Sequence, residues 1–200
     1  MAKERRHHHR PKRLARKVGV RSLRDKFLIV CEGVQTEPKY FSSFRVSKEV
    51  KVVGVGGNTD YVVREAIRLM DQDDFDQVWC VFDRDTFPVQ NFNNALSLAK
   101  SHKIRVAYSN EAFEIWYLLH FHYHDTALSR SQYAKKLKTR SGFKYQKNAD
   151  NMYELLENRQ PDAIRNAERL LRSYIPHNPV KDNPCTTVHH LVQELNKFAV

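Results

Sequence analysis

The chain has 200 residues, 41% of them hydrophobic, and a formal net charge of +11. That length suits one domain with an extension and supports a packed core, and no apolar run approaches the ~18–20 residues of a membrane span. The charge is uneven: residues 1–26 carry eleven Lys and Arg against two acids, residues 27–125 ten against fourteen, and residues 126–200 thirteen against seven. An acidic middle between basic ends suggests an acidic site flanked by surfaces that attract a polyanion, with basic surface serving solubility alone as the alternative.

Residues 1–25 form a dense basic block with little hydrophobic periodicity, which reads as a flexible arm. Beyond it, apolar runs at 26–33, 50–57, 76–85 and 104–110 read as strands. They alternate with helical patterns at 36–44, 58–72, 91–102 and 111–121, with Thr36 as the cap of the first helix. Such alternation predicts a parallel sheet of about four strands covered on both faces, a domain spanning 26–125. After Tyr123 no further strand is expected. Helical segments at about 129–138, 149–158, 161–174 and 186–198, the last capped by Thr186 or Thr187, predict a helical extension over 126–200. Cys31, Cys80 and Cys185 show no metal-ligand spacing. Cys31 and Cys80 lie inside apolar runs and read as core residues of a reducing compartment. Without a signal-peptide apolar region, the expectation is a cytoplasmic protein without membrane attachment.

Ligands of a parallel α/β sheet collect at the carboxyl ends of its strands. Carboxylates gather at that edge here. Glu32 ends the first strand and Glu37 opens the next helix. Asp83 and Asp85 end the third strand, two apart and therefore on one side if the strand persists. Asn110 ends the fourth strand, with Glu111 and Glu114 in the first turns of the helix that follows. Such clustering is costly unless a cation compensates, and Mg²⁺ (or Mn²⁺) takes a few carboxylates while keeping positions for substrate oxygens. An Asp at a strand end also serves as a turn former, so the Asp-x-Asp pair gains its force from Glu32 on a second strand end.

"CEG" after one apolar strand and "DRD" after another resemble the Toprim domain of topoisomerases, primases and overcoming-lysogenization-defect nucleases. More closely, "LIVCEGVQTEPKYF", "VFDRD", "AYSNEAFEIWYLLHF" and "NPCTTVHHLV" together resemble the RloB-like family of prokaryotic abortive-infection proteins, in order over most of residues 25–196. The resemblance places the Toprim glutamate on Glu32 and the metal-binding pair on Asp83 and Asp85. It also places the family's Ser-Asn-Pro, Phe-Glu and Trp positions on Ser109, Asn110, Phe113, Glu114 and Trp116, with Glu111 where proline is usual. It implies metal-dependent phosphodiester cleavage and an ABC- or AAA-type ATPase partner.

Other motifs are weaker. "VGVGGN" (53–58) lacks the lysine of a phosphate-binding loop and reads as a strand-to-helix turn. His120, His122 and His124 alternate but lack a matching Cys or Glu partner pattern, so packing or surface roles are expected. Residues 132–148 mix Lys135, Lys136, Lys138, Arg140 and Lys144 with Tyr133, Phe143 and Tyr145. Cations there could neutralise phosphates while rings stack on bases, or the rings could face the core.

The expectation is a Toprim-like Mg²⁺-dependent nuclease. Asp83, Asp85, Glu32 and Glu114 are the metal candidates, and Glu32 is the alternative acid/base. Glu37, Asn110 and Glu111 stand as supporting positions. Arg13 and Arg16 of the arm and the 135–144 cations would hold nucleic acid: DNA or RNA, with tRNA suggested only by the defence context of the family. The rival expectation is a nucleic-acid-binding or regulatory subunit with a structural acidic edge. A receiver-like phosphoacceptor fits less well, because its acidic pair should follow the first strand and a Lys the last.

Overall fold

A computed structural model describes residues 26–85, 88–139, 143 and 145–200. The strands are β1 (Lys26–Cys31), β2 (Glu49–Gly54), β3 (Gln77–Asp83), β4 (Arg105–Asn110) and β5 (Cys185–Thr186), in sheet order β2-β1-β3-β4-β5. The first four pair in parallel, and β5 runs antiparallel to β4. The chain builds β2 on one side of β1, then crosses back to place β3 on the other. The switch in strand order therefore falls between β1 and β3, where open α/β sheets bind ligands.

β1 shows how the sequence divides the core. Phe27, Ile29 and Cys31 belong to one buried cluster and Leu28 and Val30 to the other, as the alternation of side chains along a strand requires. Two helices cover the second face, α2 (Thr59–Met70) and α3 (Val89–Ser101). The first face is covered by α1 (Thr36–Ser42), α4 (Glu114–Leu119), α5 (Arg130–Lys138), α6 (Met152–Leu156), α7 (Gln160–Arg172) and α8 (Val188–Asn196). The three cysteines are free and buried. No helix among the described residues is long and apolar enough to cross a membrane.

Several local expectations are corrected. α1 begins with Gln35, not Thr36, at its cap, because the Thr36 hydroxyl instead donates to Asn148 Oδ1 at 2.7 Å. β3 ends at Asp83, so Asp85 lies beyond the strand. α4 begins at Glu114 and is only six residues long, which leaves Glu111 in the preceding turn. A strand does occur after Tyr123. Only two residues long, β5 carries no periodicity to read, and it is held by Ser109 opposite Thr186 and Asn110 opposite Cys185. Thr186 thus belongs to the sheet, and its hydroxyl also accepts the Val188 N–H at the start of α8 at 3.3 Å. Thr187 occupies the cap position, and its hydroxyl accepts the Tyr108 N–H at 2.9 Å. "VGVGGN" is a strand-to-helix turn as expected. Gly56 and Gly57 take φ of +63° and +120°, a backbone that favours glycine, and Asn58 caps α2 by accepting the Tyr61 N–H.

Candidate active site

β1 and β3 are neighbours, and that pairing brings Glu32 to Asp83. The Glu32 N–H donates to Val81 O at 2.8 Å, and the Asp83 N–H donates back to Glu32 Oε2 at 3.1 Å. Each chain segment leaving the sheet thus holds the other. Gly33 follows at once, and a Cβ built there would lie 2.0 Å from Glu37 Oε2. The missing side chain is what allows the Glu37 carboxylate to fold back against the β1 exit.

Glu37, Asp83 and Glu114 line one open cleft of about 230 Å³, together with Phe113, Arg130 and Lys147. All three carboxyl-bearing residues are buried. The Tyr145 hydroxyl donates to Glu114 Oε1 at 3.0 Å. Arg130, the first residue of α5, donates from Nη2 to Asp83 Oδ2 at 3.1 Å and approaches Asp85 Oδ2 at 3.8 Å. Asp85 itself lines a neighbouring hollow of about 210 Å³, with Arg84, Asn110, Glu111, Lys181 and Asn183.

The electrostatics follow from burial and crowding. Burial lifts the Glu32 carboxyl to about 7, against the opposing pull of the Asp83 N–H. Asp83 is pushed well above the ordinary carboxylate range by burial first and by Glu37 next, with Arg130 pulling the other way. Burial also raises Glu37. These groups hold protons more tightly than free carboxylates because burial disfavours their charged forms first, and neighbouring carboxylates add to it.

Among the described residues, no three His, Cys, Asp or Glu side chains stand together as a formed metal site. The carboxylates share an edge, in the arrangement that pairs Asp83 and Asp85 with Arg130. The donors are nevertheless all oxygen and over-anionic, which is the chemistry a hard divalent cation takes. Asp83, Glu37 and Glu114 on the cleft wall, with Glu32 and Asp85 adjoining, fit such an ion by donor type.

The supporting positions separate. Asn110 Nδ2 donates to Asp182 O at 2.9 Å, tying β4 to the loop before β5. Glu111 Oε1 accepts the Arg130 N–H at 3.4 Å, so it helps to seat α5. Lys135, Lys136 and Lys138 lie further along α5, with Lys135 and Lys136 exposed beside the exposed Lys138 at its end. Tyr133, Phe143 and Tyr145 are buried in the core, which decides the open question about these rings in favour of packing. His120 is buried with Nδ1 on Trp116 O, and His124 packs edge-on against Tyr133. Arg13, Arg16, Arg140 and Lys144 lie outside the described residues. The cleft residue Arg130 and the bond from Tyr145 to Glu114 escape a reading of the sequence. Arg130 directly follows the Ser129 cap of its helix, but nothing in its local spacing points to a carboxylate 47 positions earlier.

A sheet of this order with carboxylates at its switch point defines an α/β protein of Toprim-like architecture. The RloB-like protein family matches residues 27–195, and the chain belongs to that family. No curated protein and no solved structure matches it.

Proposed function

We propose that this protein is a Mg²⁺- or Mn²⁺-dependent nuclease that hydrolyses phosphodiester bonds of RNA or DNA in a prokaryotic anti-phage abortive-infection system. The observation that supports it most is the convergence of Glu37, Asp83 and Glu114 on one cleft, with Glu32 bonded to the Asp83 backbone. Asp83 and Asp85, with Glu114, would hold the metal, and Glu32 would serve either as a further ligand or as the acid/base. When bound, the ion would polarise the scissile phosphate and offset its developing charge. Glu32, raised to about 7, exchanges its proton near neutrality and is suited to take one from an attacking water or give one to the leaving oxygen. Lys147 on the cleft wall and the lysines of α5 would draw the phosphate backbone in. An ABC- or AAA-type ATPase is the partner this family context suggests.

The Arg130 contacts with Asp83 and Asp85 favour a second reading, in which a nucleic-acid-binding or regulatory subunit uses its acidic edge structurally. Incubating the purified protein with labelled RNA and DNA separates the two, with Mg²⁺, Mn²⁺ or EDTA and with or without an ABC- or AAA-type ATPase partner. Metal-dependent cleavage supports the nuclease. Binding without cleavage under every condition supports the subunit.

A further inference from the structure

We infer that Arg130 is a phosphate-binding residue with two alternative partners. It pairs with Asp83 and Asp85 in the metal-free protein, and it is released to bind a substrate phosphate when those carboxylates ligate a divalent cation. The inference rests on the nuclease reading and adds to it a residue that links loading of the acidic edge to substrate capture.

The geometry is not that of an arginine serving structure alone. Such a guanidinium is commonly buried and makes two parallel bonds to one carboxylate. Among the described residues, the Arg130 guanidinium makes a single hydrogen bond, to Asp83 Oδ2. Its approach to Asp85 is looser, at 3.8 Å, and 45% of its side chain is exposed. Its planar fork is therefore only partly used, and the unused donors border a cleft open to solvent.

The backbone beneath it is fixed. Ser129 and Gln132 form a capping box, with the Ser129 N–H donating to Gln132 Oε1 at 2.8 Å, and Glu111 accepts the Arg130 N–H. A long side chain on an anchored root can exchange partners without moving the helix. Asp83 neutralised by a dication would hold the guanidinium weakly, and like charges would then face each other. A phosphate has two non-bridging oxygens that match the fork, and Glu37 and Glu114 on the same cleft repel phosphate unless a cation sits nearby to receive it. Arg130 thus supplies positive charge to the carboxylates before loading and to the phosphate after it.

The test uses the full chain and two variants, Arg130→Gln and Arg130→Lys, with folding checked by circular dichroism. Mn²⁺ affinity is measured by electron paramagnetic resonance. Affinity for a non-cleavable phosphorothioate oligonucleotide is measured with Ca²⁺ present. Arg130→Gln should bind Mn²⁺ about threefold to tenfold more tightly, since a competing partly exposed ion pair is gone. It should bind the oligonucleotide roughly tenfold more weakly, while Arg130→Lys recovers much of the metal competition and little of the oligonucleotide affinity. Wild-type protein that binds Mn²⁺ with a glutamine variant unchanged in either measurement overturns the inference alone. Wild-type protein that binds no Mn²⁺ overturns it together with the nuclease reading. If Arg130→Gln fails to fold, Arg130→Lys decides: unchanged oligonucleotide affinity contradicts the inference, and a loss supports it.

Discussion

The Asp83 N–H donates to Glu32 Oε2 at 3.1 Å, so the carboxylate just past the end of β1 is also a backbone acceptor for the residue that ends β3. Glu32 therefore combines a structural bond with a carboxyl that burial raises to about 7. Glu32→Gln preserves an oxygen acceptor for that bond while removing the titrating proton. It should leave thermal stability within about 1 kcal/mol of wild type and abolish turnover. Paired measurement of melting temperature and cleavage checks this. A variant that loses both together would show Glu32 to be structural.

Gly33→Ala probes Glu37 without altering its charge. The new Cβ would lie 2.0 Å from Glu37 Oε2, so the carboxylate must leave its place beside β1. The displaced atoms are the far end of a flexible side chain, and the stability cost should stay at about 1 kcal/mol. Metal affinity should fall severalfold if Glu37 belongs to the ion's surroundings. Mn²⁺ titration of the folded variant measures it.

Lys135, Lys136 and Lys138 belong to the helix that Arg130 begins. Replacing all three with Glu should weaken nucleic-acid binding most at low salt. For every phosphate that the variant leaves unneutralised, the slope of log affinity against log salt should flatten by about 0.7–0.9. An unchanged slope would place the nucleic-acid path elsewhere on the surface.

Burial depresses His120 to about 4, below the ~6.5 of an unfolded chain. The unfolded state therefore binds the extra proton first as pH falls. His120 contributes no penalty above pH ~6.5 and costs stability progressively down to pH ~4, up to about 3 kcal/mol. The raised carboxylates act with opposite sign, since the folded state binds their protons first, so the histidine effect is read as a difference. Between pH 7 and pH 4.5, denaturant unfolding should show wild type losing stability relative to His120→Leu as pH falls. Parallel curves would contradict the assignment.

The strands and most helices are legible because apolar runs alternate with helical spacing, and Glu32, Glu37 and Asp83 are legible because each sits beside the end of such a run. β1 and β3 are neighbours in the sheet, which brings together the Glu32 and Asp83 ends of two separate runs. What sequence does not show depends on long-range pairing. β5 is two residues whose only signal is their pairing with β4. Arg130 and Tyr145 reach Asp83 and Glu114 through the packing of α5 and the segment after it, 47 and 31 residues from the acids they touch. Asp85 shares a face with Asp83 only if the strand runs on, and the strand stops at Asp83.

If the carboxylates at the switch point between β1 and β3 carry metal-dependent cleavage, removing their charge must remove the chemistry and spare binding. The most direct test is cleavage and binding of the same labelled RNA and DNA by wild type and by Asp83→Asn/Asp85→Asn, with Mg²⁺ or Mn²⁺ and any ATPase partner present. The paired substitution keeps shape and removes two anionic donors. Cleavage should fall by roughly a hundredfold or more, while nucleic-acid binding is retained or tightened because two charges that repel phosphate are gone. Wild type and variant cleaving equally, or neither cleaving while both bind alike, would contradict it.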